Sequence, residues 1–143
     1  MFSKEESKKT RQDFWIAFGK SFPKKWLLYD TKIKGVALKF SFGLKSAMVS
    51  IDIEPRELSK RIELWEKLLA LKSILLSEYA KEAQFEDSFL LENNKEISRI
   101  YIMKQNVSIH NKQSWRETME FFNTEMTNLE CFFLDYKEYL EYN

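Results

Sequence analysis

The sequence predicts an α+β domain, a mainly antiparallel sheet of about five strands with long helices packed on it. Three observations lead there. Apolar residues recur at helical spacing in three separate stretches. Between the first two stretches they alternate strictly with polar ones, as in half-buried strands. Only three Gly and two Pro interrupt the chain, so no interior linker divides it. The predicted order is α-β-β-β-α-β-β-(β)-α, in a single domain over residues 1–143. With 44% hydrophobic and 15% aromatic residues, a chain this long buries a core without metals or disulfides.

The first helix should begin at Ser3, because Ser3 and Glu6 have the spacing of a reciprocal capping box. Phe14, Trp15, Phe18 and Phe22 follow at helical spacing, and Pro23 ends the segment. Trp26–Ile33 reads as a first strand. Val36, Leu38, Phe40 and Phe42, then Ala47, Val49, Ile51 and Ile53, alternate on either side of Gly43 as a β-hairpin. Pro55 fits a first helical position, and the second helix is expected to reach about Ala83. On it Leu58, Ile62, Trp65, Leu69, Leu76, Tyr79 and Ala83 form a stripe that Leu64, Leu68, Leu71 and Leu75 widen. Lys72 falls inside that arc and is expected to snorkel. Phe89–Glu92 and Ile97–Lys104 form a second hairpin around Asn93-Asn94, with a further short strand at Val107–Ile109. The last helix opens near Asn111 or Ser114, where Ser114 and Glu117 repeat the capping spacing. Trp115, Met119, Phe122, Met126, Leu129, Phe133, Tyr136 and Leu140 form its core stripe. Phe40, Val49, Ile51, Trp65, Leu69, Phe122 and Met126 are expected to share one core. Hairpin followed by long helix occurs twice, a faint internal echo without aligned identities.

Charge is divided unevenly along the chain. Residues 1–50 hold eleven Lys/Arg against four Asp/Glu, while residues 51–143 hold twelve against eighteen, and the formal total of +1 conceals both. Such a split steers a polyanion, or a second copy, toward one side. Lys20, Lys24, Lys25, Lys32, Lys34, Lys39 and Lys45 run through the basic part with Trp26 and Tyr29 among them. Lys24, Lys25, Trp26, Lys32, Lys34, Lys39 and Lys45 are therefore the candidate nucleic-acid contacts, cations for phosphates and an aromatic for bases. The same lysines also fit a solvated sheet edge. Lys outnumbers Arg there, which points away from sequence-specific reading. On the last helix Phe121, Phe132 and Tyr139 lie off the main stripe and suggest a partner surface or a homodimer.

No pattern for catalysis accompanies these features. The αβββαβ order matches the core order of restriction-endonuclease-like nucleases, which need a carboxylate set with a Lys on a strand to hold and use a divalent ion. Glu6-Ser7-Lys8, Asp30-Thr31-Lys32 and Asp135-Tyr136-Lys137 are the triplets present, and none sits on the third expected strand, where Asp52 and Glu54 have no Lys two residues on. Asp52 and Glu54 are expected on a solvated outer face. His110 is the single His and Cys131 the single Cys, so neither a zinc set nor an internal disulfide forms. No cofactor or metal is expected. The N-terminus has no secretory h-region and no apolar run reaches a membrane span, so a soluble cytoplasmic domain is expected.

Asp13-Phe-Trp-Ile-Ala-Phe18, Lys34-Gly-Val-Ala-Leu-Lys-Phe40 leading to Ala47-Met-Val-Ser-Ile-Asp-Ile53, and Ser114-Trp-Arg-Glu117 together resemble the prokaryotic family domain of unknown function 4268. The resemblance spans nearly the whole chain. It implies an accessory role near DNA processing or defence, since members stand alone or follow predicted endonuclease-like regions. No catalytic residue is carried over. The sequence thus yields three functional readings: a non-catalytic interaction module, a weak non-specific nucleic-acid binder using the basic half, and a metal-dependent nuclease relative with a lost or rearranged site.

Overall fold

A computed structural model describes residues 3–142. Helix α1 (Lys4–Ser21) opens on the predicted capping box: Glu6 N–H donates to Ser3 Oγ at 3.1 Å, and Ser3 N–H to Glu6 Oε1 at 3.4 Å. Strands β1 (Val36–Phe42) and β2 (Ser46–Ile53) form the first hairpin, closed by Gly43 N–H to Ser46 C=O. Helix α2 (Leu58–Ala70) follows, then a short α3 (Lys72–Ile74) and a π-helical turn Leu75–Tyr79. Strands β3 (Gln84–Leu90) and β4 (Glu96–Gln105) form the second hairpin, and α4 (Trp115–Glu141) completes the fold. The tight β3–β4 turn uses Asn94 at φ 65, as the Asn-Asn pair predicted.

The four strands make one antiparallel sheet in the order β1-β2-β4-β3. Its two hairpins meet through their second strands, so two ββα units are joined by a central antiparallel pair. All the long helices lie on one face. Leu38, Val49, Ile51, Ile100 and Ile102 point there and pack against Phe14, Phe18, Leu68, Phe122, Met126, Leu129 and Phe133. Gly35 ties the start of β1 to the segment before α2. Its φ is +86, a Cβ would sit 2.6 Å from Pro55 Cγ, and its carbonyl accepts from Glu54 N–H.

Several expectations are corrected. The sheet has four strands, because Trp26–Ile33 and Val107–Ile109 are not strands. In the first segment Leu28 and Lys32 adopt left-handed φ of 47 and 65, which breaks extension. Leu27 N–H is taken by the Glu130 carboxylate at 2.7 Å instead of a ladder partner. Val107 and Ile109 do bury their side chains, but Ile109 N–H bonds only to Gly43 C=O in the β1–β2 turn. Helix α2 starts three residues after Pro55, and the helical stretch ends at Tyr79 rather than Ala83. Ser114 does not cap α4. Its hydroxyl donates back to Ser108 and Asn111 carbonyls, and Asn111 caps a preceding 3₁₀ turn.

The core side of α2 is the Leu68–Leu71–Leu75 side plus Trp65. Leu58, Ile62 and Leu69 lie outside it, with Leu69 41% exposed, so Leu69 leaves the expected core list, and Phe40 sits at its half-buried margin. Lys72 is exposed with Nζ 5.2 Å above the Phe85 ring, the snorkelling geometry expected of it. Trp65→Ala is expected to lower unfolding free energy by about 3–5 kcal/mol and Leu69→Ala by less than about 1 kcal/mol. Denaturant titration of the two variants checks this, and equal losses would place the core boundary elsewhere.

Candidate nucleic-acid interface

The face of the sheet away from the helices carries charge. Register places Lys39 opposite Ser50 on β1–β2, and Ser50 and Asp52 opposite Tyr101 and Arg99 on β2–β4. Asp52, expected in water, is fully buried. Arg99 Nε donates to its Oδ1 at 2.7 Å and Arg99 Nη2 to its Oδ2 at 2.8 Å, a bidentate pair. The Phe89 ring lies 4.3 Å from the guanidinium carbon and Met48 Sδ accepts from Nη1. Lys39 Nζ stands 2.6 Å from Glu54 Oε1 and 3.4 Å from Asp52 Oδ2. Tyr101 Oη donates to Glu86 Oε1 at 2.6 Å.

This cluster has the residue types of a reactive centre but not its electrostatics. Both Asp52 oxygens are engaged by one guanidinium. Burial pulls the Lys39 ammonium down, but the hydrogen bond to Glu54 and the charge of Asp52 outweigh it and hold its pKa above the ordinary value. Lys39 therefore stays charged beside the buried, hydrogen-bond-free Ser50 hydroxyl and cannot take its proton. Among the described residues no group of three or more His, Cys, Asp and Glu is placed to hold a metal. The cluster closes the sheet's open face.

The predicted lysines do not form one surface. Lys24 is bonded to Glu130 at 3.3 Å and Thr127 at 3.2 Å, with its ammonium 4.3 Å from the Trp26 ring. Trp26 is half-buried, stacked on Phe18. Lys32 pairs with Asp30 at 2.7 Å, and Lys39 belongs to the sheet cluster. Lys25, Lys34 and Lys45 are exposed, with Lys34 and Lys45 at opposite ends of β1, about 20 Å or more apart. The α4 aromatics do not form a surface either. Phe132 is 0% exposed, packed by Tyr79 and Tyr136, and Phe121 is half-buried against Phe122; of the three only Tyr139 is exposed. The π-helical turn brings Tyr79 over Phe132, and that covers a stripe read from helix spacing as open.

A different set converges on α1. Lys4, Lys8, Arg11 and Trp15 recur at i, i+4, i+7 and i+11, which puts them in one stripe along the flank of the helix, next to the buried stripe of Phe14 and Phe18. With Ile16 they line a hollow of about 910 Å³, whose acid is Glu5. No ion pair or side-chain hydrogen bond links Lys4, Lys8 or Arg11 to another group among the described residues. Trp15 is 36% exposed, and its inner side stacks on Phe122 at 5.7 Å and 9°. Sequence reading missed this set because Trp15 was counted with the aromatic core stripe. The spacing of four and then three residues between Lys4, Lys8 and Arg11 was the available signal.

The family model described as "Domain of unknown function (DUF4268)" matches residues 10–137. The chain belongs to this family. That confirms the resemblance carried by the aromatic segments of α1, the first hairpin and the start of α4. The description of DUF4268 assigns no activity, so the functional argument rests on the chain's own geometry. Neither the curated proteins nor the solved structures include a match to it. No helix among the described residues of this DUF4268 domain is long and apolar enough to cross a membrane.

Two measurements check the sheet cluster. Arg99→Ala should cost about 3–5 kcal/mol by leaving Asp52 buried and uncompensated, while Asp52→Leu combined with Arg99→Met should cost less than Arg99→Ala alone. Equal losses in both variants would show the ion pair to be incidental to closing the face. The hydrogen bond to Glu86, with burial, pushes the Tyr101 phenol up to about 12 from an ordinary 10.0. Its folded value is raised, so its contribution to stability is complete below pH 10 and is lost as pH climbs toward 12. Ultraviolet phenolate titration should show a late-ionising tyrosine that Tyr101→Phe removes; an unchanged profile in the variant would refute the assignment.

Proposed function

We propose that this domain is a non-catalytic nucleic-acid-binding module of the cytoplasm whose contact surface is the Lys4–Lys8–Arg11–Trp15 flank of α1. The observation that carries the reading is the set Lys4, Lys8 and Arg11, three cations without partners among the described residues that lead to an exposed Trp15. Elsewhere the buried charges neutralise one another, Asp52 with Arg99, Glu130 with Lys24, and Arg61 with Glu96. Lys4, Lys8 and Arg11 are cations unpaired among the described residues, gathered in one stripe beside an exposed aromatic and available to meet an external anion. They sit on a rigid helix at helical spacing, which suits the repeated charge of a phosphodiester backbone. Two of the three are Lys, a point charge without a bidentate fork, which supports backbone binding without base-specific reading. An accessory role beside DNA-processing or defence enzymes agrees with this surface. The paired state of Asp52, Glu54 and Lys39 argues against a nuclease.

Fluorescence anisotropy with a labelled oligonucleotide tests the proposal. Three neutralised phosphates give a slope in log affinity against log salt of about −2 on a single strand and about −3 on a duplex. Reversing the charges with Lys4→Glu, Lys8→Glu and Arg11→Glu should weaken binding by roughly tenfold or more. Lys24→Ala and Lys32→Ala, whose charges are engaged within the fold, should change it by less than about twofold. Binding that ignores salt, or survives the triple reversal, would refute this function.

A further inference from the structure

We propose that the α1 surface takes single-stranded nucleic acid, with the cations on the backbone and unpaired bases stacked on Trp15 and Tyr29; this rests on the nucleic-acid reading of α1. The hollow lined by Lys4, Lys8 and Arg11 adjoins a second one of about 240 Å³ lined by Leu28, Tyr29, Leu38, Lys39 and Phe40, and Trp15 belongs to both. From Lys4 to Trp15 the helix advances about 16 Å, room for a strand of a few nucleotides before it reaches the aromatics.

The two rings are held in different ways that serve one purpose. Trp15 is fixed from beneath by Phe122 and on its edge by Phe14 at 4.9 Å and 82°, so the part left in water keeps a constant orientation. Tyr29 is 73% exposed and gains little from burial. The backbone nevertheless enters the left-handed region at Leu28, φ 47, immediately before it, a conformation that a branched non-glycine residue adopts only when its surroundings impose it. Those surroundings are identifiable. Leu38 N–H donates to Leu28 C=O at 3.0 Å, Asp30 N–H to Leu27 C=O at 2.8 Å, and Leu27 N–H to the Glu130 carboxylate at 2.7 Å. A strained turn pinned from three directions thus presents an aromatic ring to solvent, with the Lys39 ammonium 5.6 Å from its centre. A duplex hides its base faces and would use only the cations. A single strand offers both phosphates and free π-faces, which is the combination displayed here.

The test compares equal-length single-stranded DNA, single-stranded RNA, duplex DNA and poly-glutamate by anisotropy competition. A single strand of either sugar should bind at least about tenfold tighter than duplex. Tyr29→Ala, at an exposed site, should weaken single-strand binding by roughly fivefold or more and leave duplex binding unchanged. Trp15→Phe, which keeps the packing on Phe122, should abolish part of the tryptophan quenching produced by a single strand. Equal affinity for duplex and single strand, or no effect of Tyr29→Ala, would overturn this inference while salt-dependent binding sensitive to Lys4, Lys8 and Arg11 kept the broader function. Failure of every nucleic acid to bind would overturn both. Poly-glutamate competing as well as the oligonucleotides would overturn both in favour of an acidic polypeptide partner.

Discussion

The Asp52–Arg99 pair bridges the two halves of the molecule where they meet. β2 and β4 are the second strands of separate hairpins, and their antiparallel contact is the seam of the sheet. On the helix side that seam is closed by Val49, Ile51, Ile100 and Ile102 under the aromatic core. On the other side no helix supplies apolar cover, so side chains of the sheet must seal it themselves. A guanidinium that satisfies both carboxylate oxygens, with Phe89 over it and Lys39 beside it, does so without leaving a lone charge in the interior. With its charges paired there, the sheet face offers no free cation cluster among the described residues, and the proposed binding surface lies instead on the Lys4–Trp15 flank of α1 and the turn at Tyr29.

How far the fold could be read from sequence depended on whether a signal was local. The Ser3–Glu6 box, the alternation of β1 and β2, and the Asn93-Asn94 turn each concern a few adjacent residues, and each formed as expected. Trp26–Ile33 has strand-forming composition, yet its course is decided by Glu130, more than a hundred residues away, which captures Leu27 N–H. The end of the α2 stretch likewise depends on a π-helical turn that brings Tyr79 onto α4. Propensity describes what a segment tolerates, and distant groups chose among the tolerated forms.

The candidate surface was half legible. The excess of basic residues points to the N-terminal part of the chain, where the proposed surface also lies, but composition could not tell an engaged lysine from a free one. Lys24, Lys32 and Lys39 each have a carboxylate partner that only the fold brings close, or that Asp30 supplies locally. Asp52 shows the converse. Its alternation against Ile51 and Ile53 matches a solvated face, and only its register opposite Arg99 reveals a buried pair. Phe132 was misplaced for the same reason, since helix spacing gives a direction and not what lies in that direction.

Glu130 also bears on the order in which this molecule can assemble. Its carboxylate holds Leu27 across a separation of 103 residues and Lys24 across slightly more, and Ser7 meets His110 across 103. Contacts of such long range form late, because closing the intervening loop must come first. During synthesis on the ribosome α1 and the first hairpin emerge well before α4, so the Tyr29 turn lacks its Glu130 anchor until α4 has been made. A nascent chain would carry the basic helix long before it could display both rings together, and selectivity would arrive only with the finished fold.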